Sequence, residues 1–408
     1  MFLSVALCSG QVASFVENRY EYPLHSWSWW TVSELRKLSS ALSLDRAGRS
    51  DTLMLPNTVL LGSSLMVVAN AECDATWQQE RIDLTTYRGA RYFDAVMNDR
   101  LSAPGSPIES RSINLSAPGQ IPSDAFLTLQ EALNEGLRPS LVVYGVAPRD
   151  FLDSTMSSPY ETETYKYLSR LVSTTAIDSR LRDDVFRSLG RHLFSSLPLL
   201  RYAVDIQMLV GKAMMEVCDC FSGGSSDTIS LEKRMALMGR YKPLDMVPGF
   251  IHAEITRGAD VDKLYADNLS DYRARYGRPE ADFYDGQIAC FEVLARFCRE
   301  REIDLVVVNM PIRKCNLDLL DPGIHSKYIA DVSRVSTEYG ALFLDLCKVD
   351  EYSKRDYRDS VHLNGFGGRK FLDRLALCLA KADCSQTIRA VHRQFPRVAA
   401  QETAESPL

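Results

Sequence analysis

The sequence predicts a three-layer, doubly wound α/β fold, with a flavodoxin-like sheet of five parallel strands and a long helical insertion after the third strand. Two observations predict it. Short apolar runs of strand length alternate with helix-length segments, and turn chemistry closes each run. The alternation stops after Phe151 and resumes at Asp282. With 408 residues, 46 % of them hydrophobic and 25 % charged, the chain can bury a core of that size.

The elements follow in order. Phe2 to Val16 is mildly apolar and uncharged, too short to span a bilayer and without the positive flank of a signal peptide. Val5-Ala6-Leu7-Cys8 is similar to a lipoprotein cleavage site, but Leu7 is too large for the small residue required there. Trp27, Trp29 and Trp30 suit either a segment packed on the domain or the remnant of a membrane-interface anchor. Thr31 or Ser33 can cap a helix through Leu35, Leu38 and Leu42. Asn57 to Leu61 reads as a buried strand ended by Gly62, and a helix starts after Ser64. Tyr87 to Met97 has no clear period. Arg111 to Leu115 is a second strand, and Ser123-Asp124 caps the helix that Gly136 closes. Leu141 to Gly145 is the third strand.

Residues 152–281 show helical stretches and few strand signals. Ser222 to Ser226 has linker composition. Ala203 to Val217 is unusually apolar and carries Met208, Met214 and Met215, which fits a buried helix or an adaptable wall for an acyl chain or partner helix. After Asp282 come a helix through Ile288 and Phe297, a strand over Ile303 to Met310, a helix from about Tyr328 to Tyr339, a strand over Ala341 to Leu346, and a last helix from Phe366 to about residue 382. The expected organisation is therefore a packing segment (1–56), an α/β domain in two pieces (57–151 and 282–382), a helical insertion (152–281) and a polar tail (383–408).

A net charge of -6 and a pI near 5.7 argue against a general nucleic-acid surface. Ten cysteines occur without a CxxC pair, and Cys218-Asp219-Cys220 is too tight for zinc, so neither a metal site nor a disulfide framework is expected. Cys290, Cys347 and Cys378 read as small core residues.

In a doubly wound sheet, functional groups gather beyond the carboxyl ends of the strands. Ser64, Gly119, Arg149, Asp359 and His362 all fall there, and so do Arg313, Lys314 and His325 after the fourth strand. A serine hydroxyl needs a histidine to take its proton and a carboxylate to orient that histidine. Ser64, His362 and Asp359 supply those parts, and Ser64 opens a helix with its own N–H turned to a developing oxyanion. Ser63 is the alternative nucleophile, Ser64 could instead cap its helix, and His362 could be a loop histidine held by backbone. Asp345 reads as structural, and His25, His192, His252 and His392 have no motif around them.

Gly62-Ser63-Ser64-Leu65 resembles the first block of the SGNH (GDSL-like) hydrolase superfamily, with Ser63 where aspartate is usual. Asp359-Ser360-Val361-His362 resembles its last block, and Asn114 to Gly119 its second, whose glycine N–H helps to form the oxyanion hole. Tyr144 to Asp150 stands in the third block and lacks its asparagine; Arg149 could replace it as donor or clamp an anionic substrate. The resemblance is nearest to the envelope O-acyltransferase branch, the D-alanyl transfer and polysaccharide acetylation-like proteins. It implies a Ser64–His362–Asp359 triad, an oxyanion hole of Ser64, Gly119 and Arg149, and a substrate pocket that includes Ser63, Gly145, Arg313 and His325. It implies a serine esterase or O-acyltransferase that acts on an acyl ester, of a polysaccharide or other cell-surface polymer, without metal or organic cofactor. A membrane or envelope partner through the insertion and a cell-envelope location go with it. The missing asparagine also supports a different expectation, a catalytically silent scaffold of an envelope or polysaccharide-assembly complex.

Overall fold

The computed structural model describes residues 27–46, 55–101, 110–156, 158–181, 251–278 and 280–381. Its strands are β1 (Thr58–Gly62), β2 (Ile82–Asp83), β3 (Ser112–Asn114), β4 (Leu141–Val146), β5 (His252–Ala253), β6 (Asp304–Asn309) and β7 (Leu342–Asp345). Five of them form one parallel sheet in the order β3-β1-β4-β6-β7. The first strand of the frame thus lies second in the sheet, the flavodoxin-like arrangement, and the chain turns back at the boundary between β1 and β4. Gly62 lies opposite Gly145 in the register, and Asn309 opposite Asp345.

Among the described residues the seven long helices are α1 (Trp27–Arg46), α2 (Ser64–Gln78), α3 (Arg91–Leu101), α4 (Pro122–Asn134), α5 (Ala281–Glu300), α6 (Pro322–Glu338) and α7 (Gly365–Lys381). Helices α2, α3 and α7 pack together as one layer. Helices α4, α5 and α6 form the other, with α1 against α4. The sheet between them is dry: Val59, Leu60, Leu61, Val142, Val143, Val306, Val307 and Val308 have no exposed surface. Cover on both faces explains why these strands read as unbroken apolar runs and not as alternation.

Four details differ from the sequence expectation, each for a physical reason. Thr31 lies inside α1, where its hydroxyl donates back to the Trp27 carbonyl (3.3 Å), and caps nothing. Helix α3 has no local start signal because Asp74 of α2 caps it from a distance, accepting the N–H groups of Arg91 (2.9 Å) and Tyr92 (2.7 Å). Asp124 caps α4 from its third position through the Ile121 N–H (3.3 Å), without help from Ser123. Helix α6 starts at Pro322, well before Tyr328, because Asp321 accepts the N–H groups of Gly323 (2.8 Å) and Ile324 (3.3 Å).

The interval after β4 holds short helices, among them Arg149–Leu152, Glu163–Leu168, Thr175–Asp178 and Leu269–Arg275. It also holds β5, whose antiparallel pairing with β2 was not legible in two-residue strands. Ala203 to Val217, Ser222 to Ser226, residues 1–26 and the tail from 383 lie outside the described residues. No helix among the described residues is long and apolar enough to cross a membrane.

Candidate active site

Strand β1 ends at Gly62, with φ of +142°, and the chain enters α2 through Ser63 in an extended conformation. Ser63 stands at the capping position, but its hydroxyl lies 3.4 Å from Asp150 Oδ2 and does not cap the helix. Ser64 is the first residue of α2, and its N–H donates to no other described group. The first helical N–H has no partner within a helix, so this donor is left for a ligand or water.

The loop after β7 brings in the other two groups. Asp359 Oδ1 accepts the N–H groups of Val361 (2.8 Å) and His362 (2.7 Å). Its Oδ2 lies 2.6 Å from His362 Nδ1, and His362 Nε2 lies 2.8 Å from Ser64 Oγ. Two residues 298 positions apart thus meet at the rim of the sheet. Burial works against the charge of Asp359, but the hydrogen bond and charge of His362 and the two N–H groups outweigh it. The carboxyl is held below its ordinary value. An ionised Asp359 accepts from Nδ1–H, which makes Nε2 the nitrogen that can accept the serine proton.

Ser360 anchors this turn. Its N–H donates to Asn268 Oδ1 (3.0 Å), and its hydroxyl accepts from Asn316 Nδ2 (3.0 Å). Tyr357 and Leu363 bridge the base of the loop.

Opposite the triad, Gly119 sits at φ of +76°, and its N–H also donates to no described group. Gln120 ties this loop to the turn at Gly62–Ser64. Its Oε1 accepts the Gly62 N–H (2.7 Å) while Nε2 donates to Leu115 O and Thr128 Oγ1 (both 3.3 Å). The Trp27 indole donates to Ser116 O (3.2 Å), so α1 steadies the same loop. A Cβ on Gly119 would lie 3.5 Å from Arg149 Nη2, which places the guanidinium edge beside the Gly119 backbone. Arg149 Nε lies 3.0 Å from Asp153 and Nη1 lies 3.6 Å from Asp150, while Nη2 is the guanidinium nitrogen nearest to Gly119. Burial opposes the charge of Arg149, and the Asp150 and Asp153 carboxylates outweigh it and hold the guanidinium protonated.

A cavity of about 420 Å³ opens over these groups, lined by Ser64, Gly119, Arg149 and His362. Its far wall is Asn268, Tyr272 and Tyr276, from the end of the interval after β4. That wall was invisible in sequence, because the segment carries no motif and is held by contacts with distant residues, Asn268 with Ser360 and Arg275 with Asp153 among them. A larger cavity of about 520 Å³, lined by Glu34, Arg81 and Arg88 among others, contains none of the triad.

The structure brings Ser64, Asp359, His362, Gly119 and Arg149 together, with Ser63 also lining the cavity. It does not bring Gly145, Arg313 or His325 there. Gly145 is buried in β4, where a Cβ would meet Met66 and Met310; it packs and does not line the pocket. Arg313 stands just before the short helix Lys314–Leu317 without capping it through its side chain, and it donates to the Tyr265 hydroxyl, whose ring it also faces at 5.2 Å. Lys314 is exposed and pairs with Asp318 at 2.7 Å. His325 lies in the first turn of α6 with its ring 6.3 Å from that of Tyr328. Arg313, Lys314 and His325 all follow β6, but position beyond a strand end fixes neither the direction nor the reach of a side chain. Asp345 Oδ1 accepts from Asn309 Nδ2 (2.9 Å) and the Cys347 N–H (3.2 Å), a structural role. Cys290 is fully buried, whereas Cys347 and Cys378 are only partly so. Among the described residues, no group of three or more histidine, cysteine or acidic side chains could hold a metal ion.

Asp150 lies beside Ser63 and accepts the Ala147 N–H (3.0 Å), and burial pushes its carboxyl up to about 6. A folded pKa above the ordinary value means that the folded chain holds this proton more tightly than the unfolded one. The contribution to stability is complete below about pH 4 and is lost as pH rises to about 6. Denaturant unfolding at pH 4.5 and 7 should therefore show Asp150→Asn gaining on the wild type at the higher pH, by about 1–3 kcal/mol. An unchanged difference between the two pH values would contradict this.

In comparison with known proteins, the chain matches no family model and no curated protein.

Proposed function

We propose that this chain is a serine esterase or O-acyltransferase of SGNH type. One observation carries the reading: the unbroken chain of contacts from Asp359 through His362 to Ser64, 2.6 Å and 2.8 Å, at the floor of an open cavity. Ser64 Oγ attacks the carbonyl carbon of an acyl ester as His362 Nε2 takes its proton. The tetrahedral oxyanion is met by the N–H groups of Ser64 and Gly119 and by Arg149 Nη2. Collapse expels the alcohol, protonated by His362, and leaves an acyl-serine. Water or an acceptor hydroxyl then attacks this ester, again with His362 as base. The resemblance of the Ser64 and His362 blocks to envelope acyl-transfer proteins favours a polysaccharide or other cell-surface polymer as one partner, at the cell envelope.

Arg149 answers the missing asparagine of the third block. Its Nη2 stands beside Gly119, where a third oxyanion donor belongs. Loss of one such donor costs about 10²–10³ in kcat. Arg149→Gln, which keeps an amide donor on a shorter side chain, should lose roughly 10–100-fold in kcat with KM changed less, in steady-state ester hydrolysis. Full retention of kcat would remove Arg149 from the hole.

The reading is tested with a short-chain nitrophenyl ester. Ser64→Ala should abolish turnover with an unchanged circular dichroism spectrum, while Ser63→Ala keeps it. Turnover that survives Ser64→Ala and disappears with Ser63→Ala would move the nucleophile by one residue. Turnover that survives both would overturn the proposal.

A further inference from the structure

We propose that the ion pair between Glu72 and Arg358 is a positioning device that ties the helix of the nucleophile to the turn of the acid–base pair. The proposal rests on the serine chemistry above and names two residues that no motif contains.

Glu72 lies on α2, eight residues after Ser64 and so about two turns along the same rigid element. It is buried, and its Oε1 lies 2.6 Å from Arg358 Nη1. Arg358 immediately precedes Asp359. Its own N–H donates to His362 O (2.9 Å), so the backbone of Arg358 closes the turn that holds Asp359 and His362. Its side chain then fastens that turn to α2. A closed ring of contacts results: Ser64, helix α2, Glu72, Arg358, Asp359, His362 and back to Ser64 Oγ. The Ser360 bonds brace the same turn against Asn268 and Asn316, neither of which lies on α2.

The chemistry of Glu72 is costly for mere packing. Desolvation raises its carboxyl to about 7 against the pull of Arg358; the Glu254 backbone N–H also favours the charge and the Glu254 carboxylate opposes it. An apolar side chain would fill the same space without that cost. What the pair adds is direction: one charged hydrogen bond sets where the Asp359 turn stands relative to Ser64. A displacement of about 1 Å in such a relay is enough to lower a rate by roughly 100-fold.

The test uses the full chain and the nitrophenyl ester. Arg358→Gln and Glu72→Gln should each lose at least about 10-fold in kcat with KM within twofold, and Arg358→Lys should recover at least a third of the wild-type kcat. Equal kcat in wild type and both glutamine variants, with only the melting temperature lowered, would overturn the proposal and leave the esterase reading intact. Should the glutamine variants fail to fold, Glu72→Asp decides: it keeps the charge but shortens the reach, and an unchanged kcat overturns the proposal. A wild type without turnover would defeat the esterase reading instead. The positioning claim is then decided by crystal structures of wild type and Glu72→Asp. It stands if the Ser64–His362 contact of 2.8 Å opens in the variant and falls if the contact is unchanged.

Discussion

His362→Ala should lower kcat for ester hydrolysis by about 10⁴-fold or more, close to 5.5 kcal/mol of transition-state stabilisation, with KM nearly unchanged. His362 is the only described side chain with a ring nitrogen in hydrogen-bond reach of Ser64 Oγ, at 2.8 Å. Without it, the hydroxyl must ionise unaided near neutral pH, where a serine is almost wholly protonated. Asp359 does not stand in for it: its Oδ1 stays bound to the backbone N–H groups of Val361 and position 362, and no hydrogen bond joins its carboxylate to Ser64 Oγ. Triad members act as a unit, so Ser64→Ala combined with His362→Ala should be hardly worse than either alone. Steady-state kinetics on the singles and the double checks both points. A loss below about 10-fold for His362→Ala would mean that another base serves Ser64.

Gly62→Ala should destabilise the fold by about 3–5 kcal/mol, a large share of the 5–15 kcal/mol that holds a typical domain together. Two costs add at this position. Its φ of +142° is a conformation that side-chain-bearing residues avoid, worth roughly 1–3 kcal/mol. A Cβ there would also stand 2.6 Å from the Gly145 carbonyl oxygen, a backbone atom of the neighbouring strand that cannot rotate away. Relief requires β1 and β4 to part at the rim where Ser63 and Ser64 begin. Urea unfolding should therefore show a lower midpoint with an unchanged slope. The folded fraction should also turn over ester more slowly than wild type. A change below about 1 kcal/mol would show that the turn has freedom to move.

The strands that carry the site were legible because the sheet is covered on both faces. Val59 to Leu61, Leu141 to Val143 and Val306 to Val308 are apolar at every position, and Gly62 marks where the first must stop. Ser64, Asp359 and His362 were legible because a serine opening a helix after a glycine and a carboxylate three residues before a histidine are local patterns, and the parallel sheet puts both at one rim. What escaped depends on contacts between distant segments. Asp74 starts α3 from another helix, Gln120 reaches back to the Gly62 N–H, and Asn268 draws the wall of Tyr272 and Tyr276 over the cavity by holding Ser360. Gly145, Arg313 and His325 fail for a related reason. Each sits at or beyond a strand end, yet packing against Met66 and Met310, against Tyr265 and against Tyr328 turns them to other work.

The central claim is that Ser64 is a nucleophile activated by His362 and Asp359. A fluorophosphonate probe, followed by mass spectrometry of the labelled peptide, tests it most directly, because the probe requires an activated serine but no knowledge of the acyl group or acceptor. The chain should be labelled at Ser64, and His362→Ala should lose nearly all of the labelling. A wild-type chain that stays unlabelled at Ser64 under conditions where a control serine hydrolase reacts to completion would contradict the claim.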